Sequence, residues 1–269
     1  MRKKIAVVPY DPEWKNIFKI HEEELRNALS DNCVNIYHVG STSVPGLCAK
    51  PVVDIMCVVG DLKAATEVLT SLGYEAKGEF NLPLRLFFSR KVPNDVHVHV
   101  VKEDSGEIAW NLTFQDYLRA NTDARDLYAK TKLDLIKENP EGFKMIEGLF
   151  SAYTVKKADV ILDIAQRAGF NGFRFVIVAN HNEIEAYKKL LKLVKIDFSN
   201  KNIFHLCLYK GVEVVAAACV EFDRATQKAF VKALNALSLD YEQTLNDKIE
   251  EWAEFHGLDC IDKCERRKN

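Results

Sequence analysis

No stretch of this 269-residue chain is long and apolar enough for a membrane-spanning helix, and neither sign of charge prevails, since 37 Lys and Arg face 39 Asp and Glu for a formal net charge of -2. The first absence excludes an integral helical membrane protein. The second removes any general pull toward nucleic acid or an anionic membrane, so a phosphate ligand would have to be held by local cations. The opening residues MRKKIAVVPYDPEW turn polar too soon for a secretory signal, and a cytoplasmic protein is expected. Cysteines are scattered at 33, 48, 57, 207, 219, 260 and 264, an odd set of 7, several of them inside apolar runs. That usage fits free buried thiols in a reducing compartment. Cys260 and Cys264 lack a second Cys/His pair beside them, which argues against structural zinc.

What is present is a composition, 48% hydrophobic and 28% charged, that can bury a substantial core in one large domain or two ordinary ones. The chain is organised around His38 to Val59, HVGSTSVPGLCAKPVVDIMCVV. An apolar run from Val34 to Val39 breaks at Gly40-Ser41, and after a Pro/Gly loop a second run, Pro51 to Val59, is interrupted only by Asp54. A nearly continuous β-branched run reads as a strand covered on both faces, which has no apolar reason to hold a carboxylate. Asp54 is therefore paired, metal-bound or catalytic. Gly40 followed by Ser41 and Thr42 offers backbone N–H groups and short hydroxyl donors of the kind that hold phosphate oxygens, although the same residues can simply cap a short helix. Lys50, just before the Asp54 strand, is a candidate phosphate partner.

Around this stretch, Asp11-Pro12 before Trp14, Ile17, Phe18, Ile20, Leu25 and Leu29 predicts an amphipathic helix of about five turns. Leu62 to Leu72 predicts a helix closed by Gly73. Leu84 to Ser89 and Val96 to Val101 predict a hairpin across Lys91 to Asn94, with His97 and His99 on one face of its second strand. If that strand lies beside the Asp54 strand, a histidine reaches the acid. Arg85 and Arg90 flank the first strand, whose Phe87 and Phe88 read as core. From Ile108 to Ala168 the chain is predicted helical, with breaks at Asn121-Thr122 and Asn139-Pro140.

The string GSTSVPGL.AKP..DI, with Arg85-Leu86-Phe87-Phe88, the HVHVV from His97 and FQDYLRAN from Phe114, resembles the signature of the GrpB family. The resemblance ends near Ala168. It implies a nucleotidyltransferase-like fold, a mixed α/β sheet with a helical wrap, and a site location without a defined reaction. Placed in that fold, the residues read as a site in which Gly40, Ser41, Thr42, Lys50 and Arg85 are phosphate-binding, Asp54 is catalytic, and Asp54, His97 and His99 are ligands of a divalent ion, Mg, Mn or Zn. Such sites usually carry two acids separated by one residue on the strand after the Gly-Ser turn, because paired ions need two or three carboxylates. Here Met56 stands at the second position, which puts a two-magnesium centre in doubt. The resemblance also suggests that Tyr117 or Arg119 packs toward the cleft, and Gln115 stands where the family tends to have arginine.

After AGFNG the pattern restarts, giving expected domains 1–169 and 170–269. Strand, helix, hairpin, strand, helix, strand resembles a smaller GNAT-type α/β acetyltransferase core. The turn expected to cradle acetyl-CoA pyrophosphate, LSLDYE from Leu237 to Glu242, has no glycine and carries Asp240 and Glu242, so this half is expected to be inactive as an acetyltransferase. The function expected is metal-dependent nucleotidyl transfer from a nucleoside triphosphate to a small acceptor. The alternatives are non-catalytic binding of a nucleotide or CoA-related metabolite, and acetyl transfer by the second half. No nucleic acid or membrane partner is expected, and homodimerisation is one use for the second half.

Overall fold

A computed structural model of the chain describes residues 2–144 and 152–261, so Cys264 and part of the predicted Ile108 to Ala168 helical stretch lie outside the described residues. The chain divides into two compact units, Met1–Phe80 with Arg85–Phe170, and Asn81–Leu84 with Asn171–Asn269. Both are mixed α/β.

The first unit runs β1 (Arg2–Lys3), α1 (Glu13–Leu29), β2 (Cys33–Val39), β3 (Val53–Val59), α2 (Leu62–Ser71), β4 (Glu75–Ala76), β5 (Leu86–Arg90), β6 (Val96–Lys102), α3 (Gly106–Ala120), α4 (Thr122–Glu138), β7 (Phe143–Lys144), α5 (Ala152–Val155) and α6 (Ala158–Arg167). Five of these strands form one sheet in the order β2-β3-β6-β5-β4. Only β3 and β6 are parallel neighbours within it. The short strands β1, β4 and β7 carry too few residues for an alternation to show in the sequence. Helix α1 begins just after Pro12, and Asp11 acts as its cap by accepting the Glu13 N–H at 2.9 Å. Asp61 caps α2 by accepting from the Lys63 and Ala64 N–H groups, and Gly73, at φ 81°, closes it in the left-handed conformation.

Strand β3 is buried along its length except at Asp54, as a strand covered on both faces should be. Its alternation puts Asp54, Met56 and Val58 on one face. In the same sheet Asp54 stands opposite His97 and Met56 opposite His99. Met56 is 2% exposed and belongs to an apolar cluster with Val39, Val58 and Val101. The position expected for a second acid is therefore core. A second cluster, including Leu47, Leu118, Tyr128 and Ile164, joins the loop after β2 to α3, α4 and α6.

The second unit contains β8 (Phe173–Ile177), α7 (His181–Leu191), β9 (Ile203–Lys210), β10 (Glu213–Asp223), β11 (Lys228–Ala236), α8 (Leu239–Phe255) and β12 (Asp259–Ile261). Its sheet order is β12-β11-β10-β9-β8, antiparallel except for the β11–β12 pair. A capping box between Asn180 and Glu183 starts α7. Trp252 of α8, 1% exposed, sits among the rings of Phe204 at 4.9 Å, Phe222 at 4.6 Å and Phe175 at 6.1 Å. Among the described residues, no helix is long and apolar enough to cross a membrane.

Because Trp252 fills the centre of this cluster, Trp252→Ala is expected to destabilise the second unit by about 3–5 kcal/mol, the usual cost of deleting a buried aromatic side chain. Denaturant unfolding of the full chain followed by circular dichroism measures it, and a loss below about 1 kcal/mol would mean that the cluster does not hold the unit together.

Candidate functional site

A cavity of about 300 Å³ opens in the first unit against the face of the sheet that carries Asp54. Its wall includes Ser41, Thr42, Lys50, Asp54, Arg85, His97 and His99, so seven side chains expected from the sequence are brought together. Gly40 stands behind the acid rather than in the wall. At φ 71° it takes the left-handed conformation, and a Cβ there would lie 2.7 Å from Asp54 Oδ2. The glycine thus serves both the turn out of β2 and the close approach of the carboxylate.

Parallel pairing of β3 with β6 and the alternation of side chains deliver both histidines to the acid. Asp54 Oδ1 lies 3.3 Å from His97 Nδ1 and 3.3 Å from His99 Nε2. Burial alone would push the Asp54 carboxyl up, but its hydrogen bonds with His97 and His99 hold it well below the ordinary carboxylate range. His99 Nδ1 is 3.0 Å from Arg85, whose other nitrogen donates to the Glu79 carbonyl at 3.1 Å. A guanidinium only donates, so His99 Nδ1 accepts and the ring proton is on Nε2, pointing at Asp54. Burial lowers the His99 pKa and keeps the ring neutral near pH 7. Phe87 stacks on His99 with ring centres 5.3 Å apart and meets His97 edge-on at 5.0 Å. The expected core role of the Phe87-Phe88 pair is thus corrected by half: Phe88 is 1% exposed, whereas Phe87 lines the cavity on the opposite face of the strand.

The turn after β2 is held from below. Ser41 to Ser43 form a single helical turn in which Ser43 Oγ donates to the Gly40 carbonyl at 2.7 Å. Buried Gln115 brings its amide 2.9 Å from Ser43 Oγ, and Arg119 donates to the Ser43 carbonyl at 2.9 Å while pairing with Asp116 at 2.6 Å. Arg119 thus braces the turn, and it does not line the cavity. Arg90, the other arginine flanking β5, turns away from the cavity to Glu24 at 2.6 Å and His21 at 2.9 Å. Thr42 Oγ1 lies 3.1 Å from His38 Nε2, and burial pushes the His38 pKa down to about 4. His38 is therefore neutral and is not the partner of Asp54.

Sequence reasoning missed the lysines on the helical side, Lys132 on α4 and Lys157 beside α6, and the ring of Tyr153. Lys132 is 2% exposed, with Nζ 3.1 Å from Ser41 Oγ, in contact with the Cys48 carbonyl and 4.6 Å from the Tyr128 ring centre. Lys50 and Lys157 each sit 4.6 Å from the centre of the Tyr153 ring. Burial is the main cause that lowers all three, Lys50 and Lys157 to about 8 and Lys132 to about 7. A detectable signal existed for Lys132: buried Ala124, Tyr128 and Lys132 recur every fourth residue along α4, while Leu127 and Leu133 face outward.

These donors are a poor fit to a pair of divalent ions. Asp54 is the only acid among the described residues of the cavity wall, the His99 Nε2 proton points at it, and three lysines and an arginine line the same wall. Among the described residues, no three His, Cys, Asp or Glu side chains form a metal-holding group. The arrangement instead presents cationic donors to whatever enters, with one carboxylate held at the base by two imidazoles.

The family model described as GrpB protein matches residues 4–167. A UPF0157 protein of Halalkalibacterium halodurans is 34% identical over 170 residues, which cover 61% of this chain and 82% of that protein. A UPF0157 protein of Streptomyces coelicolor is 37% identical over 168 residues, 61% of this chain and 84% of that one. Among solved structures, the crystal structure of conserved protein GrpB from Enterococcus faecalis aligns with a TM-score of 0.53 at 30% identity, covering 61% of this chain and 96% of its own.

Gly40→Ala tests the close approach behind Asp54. A non-glycine residue in this conformation costs about 1–3 kcal/mol before any clash with the carboxylate, so a fall in stability of at least that size is expected in thermal unfolding. An unchanged melting temperature would show that the turn relaxes without help from glycine.

Proposed function

Since the chain belongs to the GrpB family over nearly all of the unit that holds the cavity, we propose that the first unit binds a nucleoside triphosphate or a related phosphate-bearing metabolite there. The observation that carries this reading is the convergence of Lys50, Lys132, Lys157 and Arg85 on one cavity in which Asp54, the only acid among the described lining residues, is already held by two histidines. Buried ammonium groups at lowered pKa are short of negative charge, and a polyphosphate supplies it. Phe80, Phe87 and Tyr153 offer apolar surface against which a base can lie. The nucleotidyltransferase-like order of Gly-Ser turn and strand acid supports the same ligand class.

Nucleotidyl transfer is the finer reading. Its two-metal form is disfavoured by Met56 in the apolar core and by the His99 proton aimed at Asp54. We infer that the lysines, rather than ions, neutralise the phosphate oxygens. A CoA-related ligand shares this pyrophosphate chemistry and belongs in the same binding panel.

Calorimetry with ATP and no divalent ion is expected to detect binding that weakens about 10–100-fold in Lys157→Met, the loss of one or two charge-assisted contacts. The pH dependence has a definite sign. The ammonium forms attract the anion, and the free site loses those protons as pH rises through about 7 to about 8. Affinity is therefore expected to fall between about pH 7 and about pH 9, where the terminal phosphate is already ionised. Affinity that rises over this window, or binding that requires magnesium, would overturn the reading.

For the second unit we propose an acetyltransferase-like framework without acetyl-CoA chemistry. Ser238 caps α8 by accepting the Tyr241 N–H, and Asp240 and Glu242 occupy the first turn, where they repel a pyrophosphate. Acetyl-CoA is expected to leave the melting temperature of the Lys157→Met variant unchanged, the first cavity being weakened in that background. An upward shift as large in Lys157→Met as in the unmodified protein would assign a CoA site to the second unit, since a site in the first cavity would lose most of it.

A further inference from the structure

We propose that Ser41 and Lys132 are a nucleophile and general-base pair that attacks the phosphorus of a phosphoric ester or anhydride held in the cavity. The inference rests on the cavity being a phosphate site and goes beyond it by making Ser41 a reacting group rather than a mere hydrogen-bond donor.

The geometry comes from two elements far apart in sequence. Gly40 turns the chain sharply out of β2, and the next residue, Ser41, contributes to the cavity wall. Lys132 approaches from α4, with Nζ 3.1 Å from Ser41 Oγ, at hydrogen-bond distance for proton transfer. It is held there by the Cys48 carbonyl and by the face of the Tyr128 ring. Burial brings the Lys132 amine down to about 7, and Lys157, a cation of the same sign, pushes the same way. A lysine in that range is neutral in a large fraction of molecules near pH 7. The neutral amine donates an N–H to the Cys48 carbonyl and accepts the Ser41 O–H on its lone pair, so both contacts are satisfied.

The step balances without an added reactant. Ser41 Oγ forms a bond to phosphorus while its proton passes to Lys132 Nζ. The bond from phosphorus to the leaving oxygen breaks, and the lysine ammonium returns the proton to that oxygen. Water or an acceptor hydroxyl then attacks the phosphoseryl ester and gives its proton to Lys132, the bond from phosphorus to Ser41 Oγ breaks, and the ammonium returns the proton to Ser41 Oγ. Lys50, Lys157 and Arg85 neutralise the charge that builds on the non-bridging oxygens, the role otherwise filled by metal ions.

A fluorophosphonate probe offers the serine a phosphorus electrophile with a good leaving group and needs no knowledge of the natural substrate. Incubated with the full chain and mapped by peptide mass spectrometry, it is expected to modify Ser41, at a rate that climbs through about pH 7 and then levels off. Lys132→Met, which keeps the volume of the stem, and Lys132→Arg, which keeps the charge, are each expected to slow labelling by about 100-fold or more, the size of a general-base contribution. ATP binding by calorimetry is run in parallel. No labelling of Ser41 in protein that binds ATP would overturn the pair while leaving the phosphate cavity standing, whereas loss of both would remove the cavity reading itself. Labelling that is independent of pH in the unmodified protein would overturn the base role even if the Lys132 variants fail to fold. Equal labelling in folded Lys132→Met would do the same.

Discussion

A carboxylate inside a buried parallel strand has to be compensated locally, and the first unit depends on how Asp54 meets that demand. Its partners come from the adjacent strand through register alone: β6 runs parallel to β3 with His97 opposite Asp54, and His99 follows two residues on along the same face. Each ring is fixed in turn. Phe87 covers both, and Arg85 sets the His99 tautomer from the side away from the acid. The turn at Gly40 answers to the same group, because the approach of Asp54 Oδ2 leaves no room for a side chain there. Removing the acid would therefore leave two imidazoles, an arginine and a left-handed turn without their reason for being where they are.

Opposite this histidine-held acid the helical side contributes charge of one sign. Taking an ammonium out of water is costly, and proteins ordinarily recover the cost with a carboxylate. Among the described residues of the wall the histidines already engage the one carboxylate, so the lysines keep their charge for something else. By linkage, an anion that binds only the folded state and relieves this deficit also stabilises the fold. Binding and proton uptake are then two readings of the same electrostatic imbalance.

The strands, the turn and the acid were legible in the sequence because each leaves a local mark. A β-branched run interrupted by Asp54 signals a polar group with a duty, and HVHVV signals two histidines on one face. Met56 likewise announced the missing second acid, and it packs as a core residue. The GrpB string pointed to the family, and the turn it contains lies at the cavity. Lys132 and Lys157 were not legible because a lysine on an amphipathic helix normally reads as part of a solvated face. Only the inverted stripe on α4, with Lys132 inside and Leu127 and Leu133 outside, distinguishes this one. Arg119 illustrates the converse: its motif drew it toward the cleft, and the fold uses it to brace the carbonyl of Ser43. In the second unit the element order was readable from turns and alternation, whereas the clustering of Trp252 with rings from three strands was not, since it depends on sheet order.

The choice of partners for the lysines gives the last step. Tyr153 faces both Lys50 and Lys157, and Tyr128 faces both Lys132 and Lys157, so two aromatic rings hold three amines. A cation over a ring gains roughly 0.5–2 kcal/mol without surrendering its charge. A glutamate in the same place would stabilise each lysine more, but it would cancel the field in the cavity and raise the amine pKa. Aromatic partners therefore do what carboxylates cannot: they fix the amines in space, leave the cations available to an incoming anion, and let burial bring Lys132 into the range where it can accept a proton from Ser41. Anion binding and base chemistry pull that lysine in opposite directions, one toward the ammonium and the other toward the amine. With Lys50 and Lys157 supplying charge on the same wall, Lys132 is the member of the set that can release its proton while the cavity stays cationic.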